Sequence, residues 1–318
     1  MRKIVVLDSE TLGDDLDLSC FREFGELTVY RETTSENAVE RLAGAQIAIL
    51  NKVKLTAEIL AKTTELKLIC ETATGYDNID LDYCRSQGIA VCNVVGYSTP
   101  CVAQLTVTMA LSLITRIAEF KAFVESGAYT RAGIANRLEP VFHEIAGKTW
   151  GIIGYGNIGR QVGKVADALG CHVLVCKQTP IAERECVDLE TICRKADILS
   201  IHTPLNEKTK YLLDREHIAM MKPTAIVINV ARGAVTDEAA LADAIRGGRL
   251  GGLGVDVYSK EPFPMDHPFW EIKSFPNVLL TPHMAWGASE TRIRLIQEIL
   301  ENIRGFFARN LRNRVDLC

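Results

Sequence analysis

Three short blocks in the second half of the chain gather the residue types best suited to acid–base and anion chemistry. They are Asn229-Val-Ala-Arg232-Gly233, Gly254-Val-Asp256-Val-Tyr-Ser-Lys-Glu261-Pro262 and Leu280-Thr-Pro-His283-Met-Ala-Trp286. A glutamate beside a histidine makes an acid–base device. The carboxylate fixes the ring tautomer and favours the imidazolium, which can then give up a proton near neutral pH. The planar fork of an arginine such as Arg232 suits a carboxylate next to a carbonyl. Taken singly, Arg232 reads as well as a surface arginine in a salt bridge, and His283 as a structural histidine. Position raises them together. Arg232, Asp256 and His283 each follow an apolar run that reads as a buried strand, and open α/β sheets bind ligands at the C-terminal ends of their strands.

Such side chains need a scaffold that brings strand ends side by side, and its most legible piece lies mid-chain. The stretch Lys148-Thr-Trp-Gly-Ile-Ile-Gly154-Tyr155-Gly156-Asn157-Ile158-Gly159-Arg160 sets the apolar run Trp150 to Ile153 before a Gly-x-Gly-x-x-Gly turn, with a helical pattern after it. Strand, glycine turn and helix in this order form a dinucleotide-binding βαβ unit. The first glycine permits a tight turn and the second lets the backbone approach a pyrophosphate. The third lets helix pack on strand, and the helix N-terminus offers free N–H groups to the phosphate. Gly154 through Gly159 are therefore candidate cofactor-binding residues.

Roughly 145 residues precede this unit, about one domain's worth, so the N-terminal part must build something else. Strand-like runs Ile4–Leu7, Ile47–Leu50, Leu68–Cys70 and Ala90–Cys92 alternate there with helical patterns at 35–42, 56–61 and 81–87. This alternation predicts a parallel sheet. A long helix is expected from Val102 to about Val124. After the glycine turn, strands are expected at 172–175, 198–201, 225–229, 252–255 and 278–280, with helices at 209–220 and 237–245. The last helical pattern, Ser289 to Phe307, has no further strand to serve and is expected to return to the first domain. The expected architecture is α/β: two Rossmann-like domains with parallel sheets, a substrate domain of flavodoxin-like form (1–97 and 286–318) and an inserted nucleotide-binding domain (98–285).

Composition narrows the function classes. A chain of 318 residues, 47% hydrophobic and 24% charged, is long enough for two globular cores. A net charge of −4 with no cluster of basic and aromatic residues argues against nucleic acid. No apolar run reaches membrane-spanning length, and Met1 to Leu7 meets the acids Asp8 and Glu10 too soon for a leader, so it reads as a first strand. The ten cysteines show no metal-ligand spacing and fall mostly in apolar runs. They read as free thiols of a cytoplasmic protein that uses no metal.

Over essentially its whole length the chain resembles the D-isomer-specific 2-hydroxyacid dehydrogenase family. The resemblance rests on Asn51-Lys-Val-Lys-Leu-Thr56, Ala73-Thr-Gly-Tyr-Asp-Asn-Ile-Asp80, Gly96-Tyr-Ser-Thr-Pro-Cys-Val-Ala-Gln104 and the three blocks above. Within the family it is most similar to the glycerate dehydrogenase (hydroxypyruvate reductase) branch. The resemblance implies that Arg232 clamps the carboxylate and keto oxygen of a small 2-keto acid, that His283 protonates the carbonyl as hydride arrives, and that Glu261 pairs with His283. It also implies that backbone amides around Thr74 and Gly75 hold the carboxylate, with Asn51 and Lys52 nearby and Trp286 walling the pocket. Asp256 would bond the nicotinamide carboxamide, His202, Thr203 and Pro204 would line the cofactor cleft, and Val230 and Ala231 would meet the nicotinamide. A homodimer is implied, with contacts through the helix after Pro100 and the segment 139–147, as is a hinge near Gly96 and Ala285.

One position departs from the pattern. The strand His172–Val175 runs into Cys176-Lys177-Gln178-Thr179, with no acid to hold a ribose 2′-hydroxyl. A lysine there can pair with a 2′-phosphate and Gln178 can hydrogen-bond it. NADP(H) is therefore expected over NAD(H), with dual use the plainer alternative. Two other readings were weighed: a phosphoglycerate dehydrogenase-like activity, although no loop reserves a substrate-phosphate site, and a dinucleotide-binding redox sensor without turnover. A pure sensor has no need of Arg232, Glu261 and His283 together.

Overall fold

Short runs of buried aliphatic residues build two sheets, each wholly parallel. The computed structural model describes residues 1–179 and 181–317. The chain falls into two units, Met1–Ser98 with Gly287–Cys318, and Thr99–Trp286.

In the first unit the strands are β1 (Lys3–Val6), β2 (Glu26–Val29), β3 (Ile47–Leu50), β4 (Leu68–Glu71) and β5 (Ala90–Cys92), in spatial order β2-β1-β3-β4-β5. Every side chain of β3 and β4 is buried, as expected where helices cover both faces of a sheet. Helix Leu81–Gln87 is closed at both ends by local chemistry. Asp80 accepts a hydrogen bond from the Tyr83 amide (2.9 Å), and Gly88 takes the left-handed conformation at φ 66°. Helix Ser289–Phe307 packs along β4, with Leu295, Ile296, Ile299 and Ile303 buried.

The second unit holds β6 (Thr149–Ile153), β7 (His172–Cys176), β8 (Glu185–Cys186), β9 (Ile198–Ile201), β10 (Ile226–Asn229), β11 (Gly252–Val255) and β12 (Val278–Leu280). Their order is β12-β11-β10-β9-β6-β7-β8. Alternate residues feed two cores, one per face. Ile152, Ile198 and Ile228 join Met109, Leu113 and Trp150 on one side, and Ile153, Leu199 and Val227 join Ile192, Leu241 and Phe269 on the other. The order runs outward in opposite directions from β6 and β9, so the crevice at their C-terminal ends is the switch point where such sheets bind ligands.

Local expectations failed in several places. The helix expected to run unbroken from 102 to 124 is two helices, Thr99–Ile114 and Ile117–Glu125, bent by 64°. The carbonyl of Ile114 is taken by the N–H of His143 (3.2 Å), and Arg116 turns left-handed (φ 53°). Only Arg215–Ala219 of the stretch 209–220 is helical. The amides of Tyr211 and Leu213 bond the carbonyls of Ala234 and Val235, so a helix cannot start before its cap, Asp214. Strand β2 is a half-exposed edge without an apolar run, and β8 is two residues long; neither was anticipated. Among the described residues no single helix is long and apolar enough to cross a membrane.

Candidate active site

The turn after β6 is tight on two sides and open on the third. Gly154 sits at φ 87°, and a Cβ there would come within 2.8 Å of the His202–Thr203 backbone. A Cβ at Gly159 would lie 2.3 Å from the Gly154 carbonyl oxygen, whereas around Gly156 nothing lies within 4 Å of that position. Helix Asn157–Ala168 begins here, and its first-turn amides, including those of Asn157 and Ile158, have no intrahelical acceptor. An open face over free N–H groups at a positive dipole end fits a dinucleotide pyrophosphate. The Tyr155 ring turns away into the core, where its hydroxyl accepts from Arg184 Nε (2.6 Å).

After β9, His202 is half-buried, with Nε2 3.1 Å from Ser200 Oγ and a buried Nδ1 that has no partner among the described residues. Burial pushes its pKa down to about 3, so this imidazole stays neutral. Thr203 beside it is half-buried and Pro204 exposed. Val230 is buried at the end of β10, and the Ala231 amide is held by Asn229 Oδ1 (3.0 Å).

The ends of β10, β11 and β12 bring the three chemical blocks together. Among the described residues the Arg232 side chain bonds only the neighbouring Ala231 carbonyl (Nη1, 2.8 Å) and makes no ion pair, unlike a surface arginine in a salt bridge. Its neighbour Gly233 is pressed so closely on the next loop that a Cβ would fall 2.0 Å from the Tyr258 carbonyl carbon. That loop carries Glu261, whose Oε1 accepts from the Tyr258 amide (3.0 Å) and whose Oε2 lies 2.6 Å from His283 Nδ1. The two side chains are 29% and 26% exposed, which leaves the His283 ring open to a ligand.

His283 occupies the left-handed region (φ 53°), a strained backbone for a residue with a Cβ. Asp256 holds it there. This fully buried carboxylate accepts from Thr281 Oγ1 (2.6 Å) and from the amides of Met284 (2.9 Å) and Ala285 (2.8 Å). Burial raises its pKa, while these bonds and the nearby His283 act against the rise. Trp286 follows, half-buried against the core.

The first unit places its predicted residues on two loops. Beyond β3, the amides of Asn51, Lys52 and Val53 all bond the buried carboxylate of Asp8 (2.6–3.3 Å). Asn51 is thereby buried and the Lys52 side chain exposed. β4 ends on Glu71, fully buried, with Oε1 unpartnered among the described residues and its pKa pushed up to about 9 by desolvation. The exposed Thr74 and half-buried Gly75 follow, and their backbone N–H groups have no acceptor among the described residues.

At the end of β7, Lys177 is half-buried and Gln178 exposed. A carboxylate does stand close by, but it comes from further along the chain. Glu183 is paired with Arg160, and that bond, with Lys177 nearby, holds it below the usual carboxylate range.

The profile of the D-isomer specific 2-hydroxyacid dehydrogenase NAD binding domain matches residues 107–285. A glycerate dehydrogenase of Methylorubrum extorquens is 37% identical over 99% of both chains. The chain belongs to the D-isomer-specific 2-hydroxyacid dehydrogenase family. A D-lactate dehydrogenase of Aquifex aeolicus, solved with NAD and lactic acid, superposes with a TM-score of 0.85 at 28% identity, over 98% of this chain and 96% of that one. An acyclic imino acid reductase solved with NADPH and D-arginine gives 0.85 at 29% identity, over 99% of both. This member of the family is an enzyme, an oxidoreductase that uses a nicotinamide dinucleotide.

Several residues of the site had no local signal. Asp8 and Glu71 read as ordinary strand-end acids, and nothing marks the amides that one of them gathers. Glu238, at the start of helix Glu238–Arg246, accepts from the Ser259 amide (2.9 Å) and lies 3.0 Å from His267 Nε2, bracing the loop that carries Glu261. A histidine and a glutamate 29 residues apart show their pairing only once the chain is folded.

Proposed function

We propose that this dehydrogenase reduces small 2-keto acids, hydroxypyruvate and glyoxylate first among them, to D-2-hydroxy acids, and that it prefers NADPH to NADH. The observation that carries the reading is the His283–Glu261 pair at 2.6 Å, beside an Arg232 that has no carboxylate partner among the described residues. Glycerate is the reduced form of hydroxypyruvate, so the likeness to a glycerate dehydrogenase supports that substrate.

In this mechanism the guanidinium of Arg232 binds the substrate carboxylate and leans on the keto oxygen. The bound nicotinamide dinucleotide supplies the hydride to the keto carbon. Because Nδ1 of His283 is engaged by Glu261, the ring presents Nε2 to the carbonyl oxygen and gives it the proton that completes the alcohol. Arg232 and the imidazolium together stabilise the negative charge that grows on that oxygen. In the first unit the Thr74 and Gly75 amides, without an acceptor among the described residues, suit a carboxylate, and Asn51 and Lys52 lie on the loop after β3. The turn Gly154–Gly159 would hold the pyrophosphate and Val230 and Ala231 would meet the nicotinamide, while Asp256 keeps His283 in its strained conformation.

The preference for NADPH is supported by Lys177, the residue that ends β7 in place of an acid. Free thiols at the described cysteines support a reducing, cytoplasmic setting. A homodimer is supported by apolar side chains left in solvent on one stretch. Ile117, Val124, Ile134, Leu138, Val141 and Phe142 are each between 44 and 70% exposed. The test is the loss of reduced-nicotinamide absorbance with hydroxypyruvate and glyoxylate, run with NADPH and NADH in parallel. Turnover faster with NADPH is expected. Turnover favouring NADH removes the cofactor preference and keeps the dehydrogenase, and no turnover with either acid removes the substrate assignment.

A further inference from the structure

The loop that presents Thr74 and Gly75 is held from behind by a chain of three asparagines, two of them buried. Asn93 Nδ2 donates to the Thr74 carbonyl (2.7 Å), Asn302 Nδ2 donates to the Asn93 carbonyl (2.8 Å), and Asn313 Nδ2 donates to Asn302 Oδ1 (2.9 Å). Alongside, the Val94 amide donates to the Ala73 carbonyl (2.9 Å), and the Thr74 hydroxyl to the Val94 carbonyl (2.8 Å). Asn93 and Asn302 are 4% and 1% exposed, so the relay is shielded from competing water.

Peptide planarity turns these bonds into a pointing device. The carbonyl of one residue and the N–H of the next share a rigid plane and face opposite ways. A donor fixed on the Ala73 oxygen therefore sets the direction of the Thr74 N–H. A donor fixed on the Thr74 oxygen does the same for the Gly75 N–H. Those two amides have no acceptor among the described residues. We propose that Asn93 and Asn302 are positioning residues for substrate: through two peptide planes, the relay from helix Ser289–Phe307 aims the Thr74 and Gly75 amides at the carboxylate of the 2-keto acid. The inference rests on the reading of this loop as the carboxylate site given above.

The test compares Asn93→Leu and Asn302→Leu, which keep size and remove the donors, with the wild type. Asn313→Gly is a milder variant that removes one outer donor and tolerates the left-handed backbone at that position (φ 52°) should the buried variants fail to fold. Four quantities are measured: KM and kcat for hydroxypyruvate, the dissociation constant for NADPH by nucleotide fluorescence, and hydrogen exchange of the Val94 amide, the one bonded to the Ala73 carbonyl. The expected result is a KM raised about tenfold in the leucine variants, less in Asn313→Gly. The kcat and nucleotide affinity stay unchanged, and exchange at Val94 quickens. Unchanged exchange overturns the positioning role whatever the kinetics. Faster exchange with an unchanged KM overturns its link to substrate. If the wild type reduces no keto acid, the assignment of function falls separately, and the exchange arm alone decides whether the relay orders the loop.

Discussion

Nδ1 of His283 and Oε2 of Glu261 lie 2.6 Å apart, although 22 residues separate them and His283 must adopt a left-handed backbone to complete the contact. Asp256 supports that strain by accepting the amides that follow, those of Met284 and Ala285. The pair is therefore built by two loops and a second carboxylate, and it divides the labour between proton donor and orienting base.

Removing the donor should cost more than removing its partner. His283→Ala is expected to lower kcat for keto-acid reduction by about two to four orders of magnitude, the usual contribution of a positioned acid. Glu261→Gln should cost less, because the ring keeps its proton-donating nitrogen and loses only the carboxylate that orients it. Steady-state kinetics check both. A Glu261→Gln variant as slow as His283→Ala would argue against this division of roles.

Cofactor choice should turn on the end of β7. Lys177→Asp is expected to raise KM for NADPH about tenfold or more, by repelling a 2′-phosphate, and to leave NADH unharmed. Glu183→Gln should do the reverse, freeing Arg160 from its ion pair to meet the phosphate. Nucleotide titrations of both variants decide between two roles for Glu183. If Glu183→Gln weakens NADH binding instead, the carboxylate is serving the ribose.

The buried acid Glu71 makes stability depend on pH. In the unfolded chain it titrates near 4.5, and in the folded protein near 9. Between those values the native state holds a proton that the unfolded state has released, so stability falls as pH rises, by up to about 1.4 kcal/mol per pH unit. Below that window both states are protonated and the effect vanishes. Glu71→Gln should remove this slope and gain stability relative to the wild type at pH 8. Urea unfolding at pH 5, 6.5 and 8 measures it, and parallel pH curves for the two proteins would refute the assignment.

The exposed apolar stretch should govern assembly. Leu138→Asp with Val141→Asp is expected to convert a dimer to a monomer by sedimentation equilibrium, while the absorbance of bound NADPH persists. A wild type that sediments at the mass of one chain would end the dimer proposal.

Much of the scaffold was legible because its signals are local. The strand, glycine turn and helix around Gly154 depend on a few neighbouring residues, and so do the capped helix at Asp80 and Gly88 and the buried runs of β3, β4 and β10. The chemistry at Arg232, Glu261 and His283 could be named for a related reason: three residues of this family's blocks stand at or just past strand ends, where parallel sheets place their ligands. Other features were decided only when distant segments met. The break at Arg116 follows from His143 reaching the Ile114 carbonyl, and the lost helix before Asp214 follows from pairing with Ala234 and Val235. The buried carboxylates of Asp256 and Asp8 gather amides from loops about 30 and 45 residues away. The Asn93–Asn302 bond spans 209 residues. Periodicity and turn chemistry act over a few residues, whereas a buried hydrogen bond needs a partner at about 3 Å, and only the packed chain supplies it.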